Sequence, residues 1–293
     1  MFGPTGVGKT RLLYTFFTKG YEVINADSMQ VYRGLDIGSA KPSQKILQLI
    51  PHHLIDILEP TQQYTVGDFV RYSQKLIPQV HQRGALPVVS GGTAFYFKHL
   101  MFGLPEAPPS DPMIREELEE RCQKEGEETL YKELHRIDPV SWKRIHSSDT
   151  YRILRALEVF YTSGRPLASY KIKPTVDQQM RPLIIGLRRE REELNRRIDQ
   201  RVEMMFDDGL VNEIRTLIGK GASPDWPGMH GIGYREFFLA RETGELSLSG
   251  IKEQIQRNSR HYAKRQMTFF RSLPGVNWVH PDDKQQISRL LQD

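Results

Sequence analysis

The chain has 293 residues, of which 38% are hydrophobic, and this composition is typical of one large or two modest globular domains. No apolar run is long enough to span a membrane, and no signal peptide is recognisable. The only cysteine, Cys122, excludes a disulfide framework and a cysteine-based zinc site. We therefore expect a cytoplasmic protein without a membrane partner. The net charge of +5 permits a nucleic-acid partner without requiring one.

The chain opens on a glycine-rich stretch that matches the phosphate-binding pattern G-x-x-x-x-G-K-[ST] in full. Its residues are Gly3, Pro4, Thr5, Gly6, Val7, Gly8, Lys9 and Thr10. In such a loop the glycines let successive backbone N–H groups point at one anion, the lysine adds a positive charge, and the threonine hydroxyl ligates Mg²⁺. The helix expected after the loop adds its N-terminal dipole. The stretch therefore predicts binding of a diphosphate or triphosphate, ATP included.

A phosphate loop normally follows a buried strand, but only Met1 and Phe2 precede Gly3. On the sequence alone, the sheet is expected to lack a central strand at this position. We expect such a sheet to be less stable than a complete one.

Helices and short apolar strands alternate through the first third of the chain. Strands are predicted at 21–25, 53–58 and 86–89, and a helix at 65–82 begins with the capping sequence Thr65-x-x-Asp68. This alternation predicts a parallel sheet with crossover helices, in which ligands bind at the carboxyl ends of the strands. The phosphate loop, Asp27 and Thr93 are expected at that edge.

Two strand ends carry candidate chemistry. Asp27 follows the first predicted strand, where a carboxylate can act as a base, hold a metal ion through water, or only cap the next loop. The strand at 86–89 ends in Ser90-Gly91-Gly92-Thr93, and not in the carboxylate that a conventional ATPase or GTPase uses to position Mg²⁺ and water. This pattern indicates a site that orients a bound group, although a simple turn would have the same sequence.

The rest of the chain is predicted to be mainly helical. Prolines between residues 105 and 112 resemble a linker. Helices are predicted at 114–128, 130–137, 140–145, 151–162, 192–206, 210–219, 234–242 and 251–272, and a strand at 181–187. We therefore predict a helical insertion domain at 111–180 within a core formed by 1–110 and 181–293.

Basic residues are frequent in the C-terminal part. Arg197 and Arg201 lie four positions apart on one predicted helix face, so that one of them could hold a diphosphate. Residues 251–273 include six lysines and arginines against one acid, a pattern shared by RNA-binding surfaces and ordinary solvated helices. The glycine-rich turn at 230–235 could contact a phosphate backbone or stack on a base.

These stretches, in this order, resemble the tRNA dimethylallyltransferases (tRNA isopentenyltransferases) of bacterial type. The matching residues are 3–10, 25–33, 36–42, 91–96, 152–159, 231–236 and 262–266. The resemblance covers nearly the whole chain. It implies an α/β fold with a P-loop NTPase-like parallel sheet flanked by helices and a helical insertion domain. It also implies transfer of the dimethylallyl group from dimethylallyl diphosphate to N6 of the adenosine on the 3′ side of the tRNA anticodon, giving N6-isopentenyladenosine.

The resemblance also implies roles for individual residues. Asp27 is the expected base, Thr93 orients the amine or the diphosphate, and Lys9 stabilises the leaving group together with Mg²⁺ bound at Thr10. Residues 3–10 and Arg201 are expected to bind the diphosphate. The residues expected to contact the tRNA anticodon stem-loop are Asp27, Ser28, Met29, Gln30, Thr93, Arg115, Tyr151, Arg152, Ile153, Leu154, Arg155, His230, Gly231, Ile232, Gly233, Tyr234 and Arg235. A monomer is expected.

Three other functions stay open at this point. An isopentenyltransferase of free adenine nucleotides would share the phosphate loop and Asp27, although the basic helical part after residue 181 favours a large RNA acceptor. A P-loop kinase of small molecules would need the acidic strand end that this chain lacks. An RNA-binding module without catalytic activity would leave the phosphate loop without a purpose.

Overall fold

A computed structural model of the protein describes residues 1–171, 182–244 and 247–292. The chain forms two compact units. The core unit contains Met1–Leu100 and Gln178–Asp293, and the helical unit contains Met101–Asp177. The predicted domain boundary between residues 180 and 181, and Arg181 of the predicted strand, lie outside the described residues.

The core unit is built on parallel strands. They are β1 (Tyr21–Ala26), β2 (His52–His53), β3 (Leu86–Gly91), β4 (Ile185–Leu187) and β5 (Asn277–Val279). Strand β1 lies between β2 and β3, while β4 pairs with β5, and all of these pairings are parallel. The parallel sheet predicted from the alternation of helices and strands is confirmed.

Phe2 connects the two groups of strands. It forms parallel bridges to Gly91 of β3 and to β4. Its N–H donates to the Ile185 carbonyl at 2.9 Å, and its carbonyl accepts from the Leu187 N–H at 2.8 Å. Its ring is 1% exposed and stacks on that of Phe270, with 4.4 Å between the ring centroids. A single residue therefore bridges the position where the sequence alone indicates a missing strand.

Helices account for most of the remaining described residues. They are α1 (Lys9–Phe16), α2 (Gln44–Leu49), α3 (Val66–Gln82), α4 (Ala94–Phe102), α5 (Pro112–Glu125), α6 (Glu127–Ile137), α7 (Pro139–Trp142), α8 (Thr150–Ser163), α9 (Arg191–Asp207), α10 (Leu210–Gly219), α11 (Arg235–Thr243), α12 (Leu248–Phe270) and α13 (Lys284–Gln292). In the described part of the chain, no helix is both long and apolar enough to cross a membrane.

Local sequence explains several of these boundaries. Helix α3 begins with the predicted capping box, in which the Thr65 hydroxyl accepts the Asp68 N–H at 3.1 Å and the Asp68 carboxylate accepts the Thr65 N–H at 3.0 Å. The strand predicted at 53–58 is wrong beyond His53. Leu54 and Asp56 have φ angles of 64° and 53°, and this left-handed backbone turns the chain out of the sheet.

Apolar clusters stabilise both units of the described fold. In the core unit, one cluster packs the phosphate loop and α1 against β4, β5, α9 and α12. It contains Val7, Leu12, Ile185, Leu187, Leu194, Ile198, Ala263, Val279 and Ile287. In the helical unit, helices α5, α6 and α8 enclose a separate cluster. It contains Leu118, Leu130, Leu134, Ile145, Ile153, Leu154, Ala156 and Leu157.

Candidate active site

The phosphate loop has a backbone shape that glycine makes possible. Gly6 and Gly8 have φ angles of 77° and 111°, in the left-handed region that other residues rarely adopt. Gly8 is the N-cap of α1, so the first backbone N–H groups of that helix are directed toward the loop. This arrangement is that of a helix N-terminus able to bind an anion.

The ammonium group of Lys9 folds back over the loop. Its Nζ donates to the Gly3 carbonyl at 2.9 Å and to the Pro4 carbonyl at 3.0 Å. The pKa of Lys9 is lowered to about 7. Burial is the largest cause, the nearby Arg201 guanidinium acts in the same direction, and the Asp27 carboxylate opposes the shift. A bound anion would favour the charged form of Lys9.

Helix α9 supplies two arginines to the same loop. Arg197 Nε donates to the Gly6 carbonyl at 2.9 Å, and an Arg201 guanidinium nitrogen donates to Thr5 Oγ1 at 2.7 Å. Burial lowers the pKa of Arg201, and the Asp27 carboxylate acts in the opposite direction. The helix face that carries Arg197 and Arg201 therefore contacts the phosphate loop, as the four-residue spacing predicted.

A cavity of about 670 Å³ opens beside the loop. The predicted site residues that line it are Thr5, Gly6, Gly8, Lys9, Thr10, Asp27, Ser28, Met29, Gln30, Arg201, His230, Gly231, Ile232 and Arg235. Packing explains part of this convergence, since a Cβ atom at Gly231 would overlap the Met29 side chain. Segments that are more than 200 positions apart in the sequence thus meet at one cavity.

Asp27 faces this cavity while it also shapes its own loop. Its Oδ1 accepts the backbone N–H of Met29 at 2.9 Å and that of Gln30 at 3.4 Å. The capping role that the sequence left open is therefore present. Because these bonds use Oδ1, they also fix the direction in which the carboxylate presents its second oxygen.

Thr93 contacts Ser28, the residue that follows Asp27. Its hydroxyl oxygen accepts the Ser28 N–H at 3.1 Å, and its own N–H donates to the Ala26 carbonyl at 3.1 Å. The preceding Gly91 is paired in register with Ala26, and a Cβ atom at Gly91 would overlap the Ala26 carbonyl. Gly91 is therefore required by the close approach of β1 and β3, which places Thr93 beside the end of β1.

Two residues of α12 that were not among the predicted site residues reach this site, although both belong to the stretch 262–266 that carries the family resemblance. Tyr262 and Gln266 both line the cavity. The pKa of Tyr262 is raised to about 12. Burial is the largest cause, the Asp27 carboxylate acts in the same direction, and hydrogen bonds with Thr93 and Gln266 oppose the rise. Tyr262 therefore stays a neutral phenol at physiological pH. The available signals were their place in the matched stretch 262–266 and their spacing of four positions, which puts both on one helix face.

A half-buried carboxylate holds another loop of the cavity. Glu213 accepts the backbone N–H groups of residues 36–38 at 2.7 to 3.1 Å. The Tyr234 hydroxyl donates to Glu213 at 2.8 Å and accepts the Ser39 N–H at 3.1 Å. Tyr234 is fully buried, so its side chain supports the loop from behind and is not exposed to a ligand.

Six further predicted RNA-contacting residues belong to the helical unit. They are Arg115, Tyr151, Arg152, Ile153, Leu154 and Arg155. Tyr151 is 67% exposed, and the Arg115 guanidinium lies over its ring at 5.1 Å from the centroid. Ile153 and Leu154 are buried in the apolar cluster of this unit, so their side chains stabilise it and leave the exposed face to their neighbours.

The donor set suits a magnesium ion bound together with a phosphate compound. The Thr10 hydroxyl is exposed at the cavity, and Asp27 is the one acid among the described residues that line it. Mg²⁺ prefers hard oxygen ligands and commonly takes one or two from the protein, with the rest from substrate phosphates and water. Thr10 fits that pattern as a protein ligand.

Fold and site together define an α/β protein of the P-loop type, in which a phosphate loop and a carboxylate with a neighbouring hydroxyl share one cavity. A family model described as IPP transferase matches residues 30–273. Curated tRNA dimethylallyltransferases of Borrelia turicatae and Geobacter sulfurreducens are 44% and 43% identical to the chain. The alignments cover 97% and 98% of this chain and 94% and 93% of those proteins. The chain therefore belongs to the IPP transferase family and is a transferase.

Solved structures agree with this assignment. The tRNA isopentenylpyrophosphate transferase of Bacillus halodurans is similar with a TM-score of 0.67 and 36% identity, over 99% of this chain and 92% of that one. A eukaryotic dimethylallyltransferase acting on tRNA is similar with a TM-score of 0.79 and 26% identity, over 99% and 75%. The resemblance seen in the sequence motifs and the predicted P-loop fold class are confirmed.

Proposed function

We propose that this enzyme transfers the dimethylallyl group of dimethylallyl diphosphate to N6 of the adenosine on the 3′ side of the tRNA anticodon. The main observation behind this proposal is that the phosphate loop, Asp27 and Gly92 line the same cavity. Relatives described as tRNA dimethylallyltransferases support the choice of donor and acceptor.

The donor wall, defined here as residues 3–10 with Arg197 and Arg201, binds the diphosphate. As the bond between C1 of the dimethylallyl group and the diphosphate oxygen breaks, both electrons go to the departing diphosphate. Lys9, the arginines and the loop N–H groups stabilise that negative charge. Thr10 would hold Mg²⁺, which supplies further neutralisation of charge on the phosphate oxygens.

The acceptor wall, defined here as Asp27, Ser28, Gly92, Thr93 and Tyr262, receives the adenine. The adenine N6 forms the new bond to C1 of the dimethylallyl group. N6 also loses one proton, which the Asp27 carboxylate accepts. The Thr93 hydroxyl, held against Ser28, orients the amine or the diphosphate. Since the base must leave its stack to reach C1, the cavity receives a flipped nucleotide.

The RNA itself is larger than the cavity. His230, Gly231, Ile232 and Arg235 line the cavity and are proposed to contact the anticodon stem-loop. Exposed Tyr151 of the helical unit, with Arg115 over its ring, offers an aromatic and cationic surface suited to an RNA loop. A monomer in the cytoplasm, where tRNA is modified, completes the proposal.

The test is an acceptor comparison by nucleoside mass spectrometry. Purified protein and Mg²⁺ are incubated with dimethylallyl diphosphate and either unmodified tRNA or AMP. A separate reaction contains ATP alone. We expect isopentenyladenosine in the tRNA and little product from AMP. A preference for AMP would indicate the nucleotide enzyme, and ADP formation from ATP would indicate a kinase.

A further inference from the structure

We propose that Gln266 is a positioning residue that sets the spacing between the phosphate loop and the loop of Gly92 and Thr93 during transfer. The inference rests on the proposed function, because it assigns these two loops to the donor and the acceptor of one reaction.

The side-chain amide of Gln266 contacts both loops at once. Its Oε1 accepts the Thr5 N–H at 2.9 Å, and its Nε2 donates to the Gly92 carbonyl at 2.6 Å. The residue is 4% exposed, so neither bond competes freely with water. One planar group with an acceptor and a donor therefore bridges the donor wall and the acceptor wall.

The space around Gly92 independently indicates close packing at this bridge. A Cβ atom at Gly92 would lie 2.6 Å from Gln266 Nε2, closer than such atoms approach one another. The loop backbone thus lies directly against the amide. Thr93 follows at the next position, so a shift of Gly92 moves the hydroxyl that faces Ser28.

The helix that carries Gln266 is well anchored. Tyr262, one turn earlier on α12, is hydrogen-bonded to Thr93 and Gln266. Phe270, one turn later, is fully buried and stacks on Phe2 at the centre of the sheet. The Gln266 side chain therefore extends from a helix that is packed into the core. Both loops are hydrogen-bonded to this one rigid helix.

Transfer needs this spacing because donor and acceptor atoms react only when held near van der Waals contact. A displacement of about 1 Å in such a site is able to lower the rate by about 100-fold. Loss of the bridge should therefore affect the chemical step more than the binding of either substrate.

The experiment compares Gln266→Leu, Gln266→Glu and the control Gln256→Leu in the full chain. Gln256 lies on the same helix and donates to Glu203 at 3.0 Å, in a contact to α9. Steady-state transfer is measured with dimethylallyl diphosphate and tRNA, and the unfolding temperature of each protein is recorded. For Gln266→Leu we expect kcat to fall about 10- to 100-fold, while KM for each substrate stays close to wild type. The unfolding temperature should fall modestly, because the Thr5 N–H and the Gly92 carbonyl lose their buried partner.

Gln266→Glu adds a pH readout. Its carboxylate keeps an acceptor for the Thr5 N–H and loses the donor to Gly92, so kcat should also fall at neutral pH. Protonation of the carboxyl restores an O–H donor. The kcat of this variant, divided by that of wild type, should therefore rise as the pH is lowered.

Two results would overturn the role of Gln266. One is a folded Gln266→Leu protein with wild-type kcat, and the other is a pH-independent ratio for Gln266→Glu with losses matching those of Gln256→Leu. Both require an active wild-type enzyme. Absence of transfer by the wild-type protein would overturn the proposed function, and the inference with it.

Discussion

The donor wall and the acceptor wall of the cavity are built in different ways. The donor wall is mostly one continuous stretch, residues 3–10, whose shape follows from glycines with left-handed φ angles. The acceptor wall combines the end of β1, the end of β3 and one face of α12, brought together from across the chain. The wall that we propose for the diphosphate is therefore specified largely by a local sequence pattern, whereas the acceptor wall depends on tertiary packing.

The two walls also differ in how burial affects charge. Burial lowers the pKa of Lys9 to about 7, so the donor wall changes charge near neutral pH. Burial raises the pKa of Tyr262 to about 12, so the acceptor wall keeps a neutral phenol there. The comparison predicts that binding of diphosphate responds to pH, and that the two walls respond differently to substitution.

The largest expected effect comes from the acceptor wall. Asp27→Ala removes the carboxylate that we propose as the acceptor of the adenine proton, so kcat should fall about 10²- to 10⁴-fold. The dissociation constant for tRNA, measured by filter binding, should change much less. Asp225→Ala, at an exposed position, is the control. Equal losses in rate and tRNA binding would show that Asp27 contributes to affinity and not to proton transfer.

Lys9→Ala breaks the donor wall. We expect kcat/KM for dimethylallyl diphosphate to fall about 10²- to 10³-fold, because a preorganised charge on the leaving group is lost. Affinity for tRNA in the absence of the donor should stay near wild type, as should all properties of Lys19→Ala, an exposed lysine. A variant that loses tRNA affinity while keeping diphosphate affinity would contradict the division between the two walls.

Diphosphate binding should weaken as the pH rises. The free enzyme holds Lys9 with a pKa of about 7, lowered by burial and by Arg201, and opposed by Asp27. Bound diphosphate favours the protonated lysine, so binding takes up a proton above this pKa, and affinity falls by at most about 10-fold per pH unit. Calorimetry with pyrophosphate, without Mg²⁺, from pH 6 to 9 measures this slope. In Lys9→Ala the affinity for pyrophosphate should depend less on pH. An unchanged pH dependence in that variant would mean that a group other than Lys9 takes up the proton.

The smallest expected effect concerns the loop behind the cavity. Glu213→Ala leaves the N–H groups of residues 36–38 without their acceptor, which should cost about 1–3 kcal/mol of unfolding free energy. Chemical denaturation of this variant and of Glu253→Ala, an exposed control, measures the loss. Equal stability of the two variants would mean that the loop does not need this carboxylate.

Much of the fold is encoded locally, which explains what sequence patterns predict. The capping box of α3 and the glycines of the phosphate loop act within a few residues, and both have the predicted geometry. The long amphipathic helices α9, α10 and α12 also lie within a few residues of their predicted bounds. The three-residue strand β5 and the helices α4 and α13 were not predicted, because short elements depend on their neighbours more than on periodicity.

The site was harder to predict where it depends on distant contacts. Gln266 binds the Thr5 N–H across 261 positions, and Glu213 binds residues 36–38 across more than 170. Neither residue stands in a motif that implies such a partner. Ile153 and Leu154 show the opposite case, because motif membership indicated RNA contact while helical periodicity places their side chains in a core.

The central claim is that both walls serve one transfer, so the most direct measurement is the ratio of pyrophosphate released to isopentenyladenosine formed. Wild-type protein is incubated with Mg²⁺ and dimethylallyl diphosphate, with and without unmodified tRNA. The account predicts equal amounts of the two products when tRNA is present, and negligible pyrophosphate without it, because the cavity orients an acceptor and does not activate water. Steady pyrophosphate release without tRNA, or a clear excess over isopentenyladenosine with it, would contradict the account.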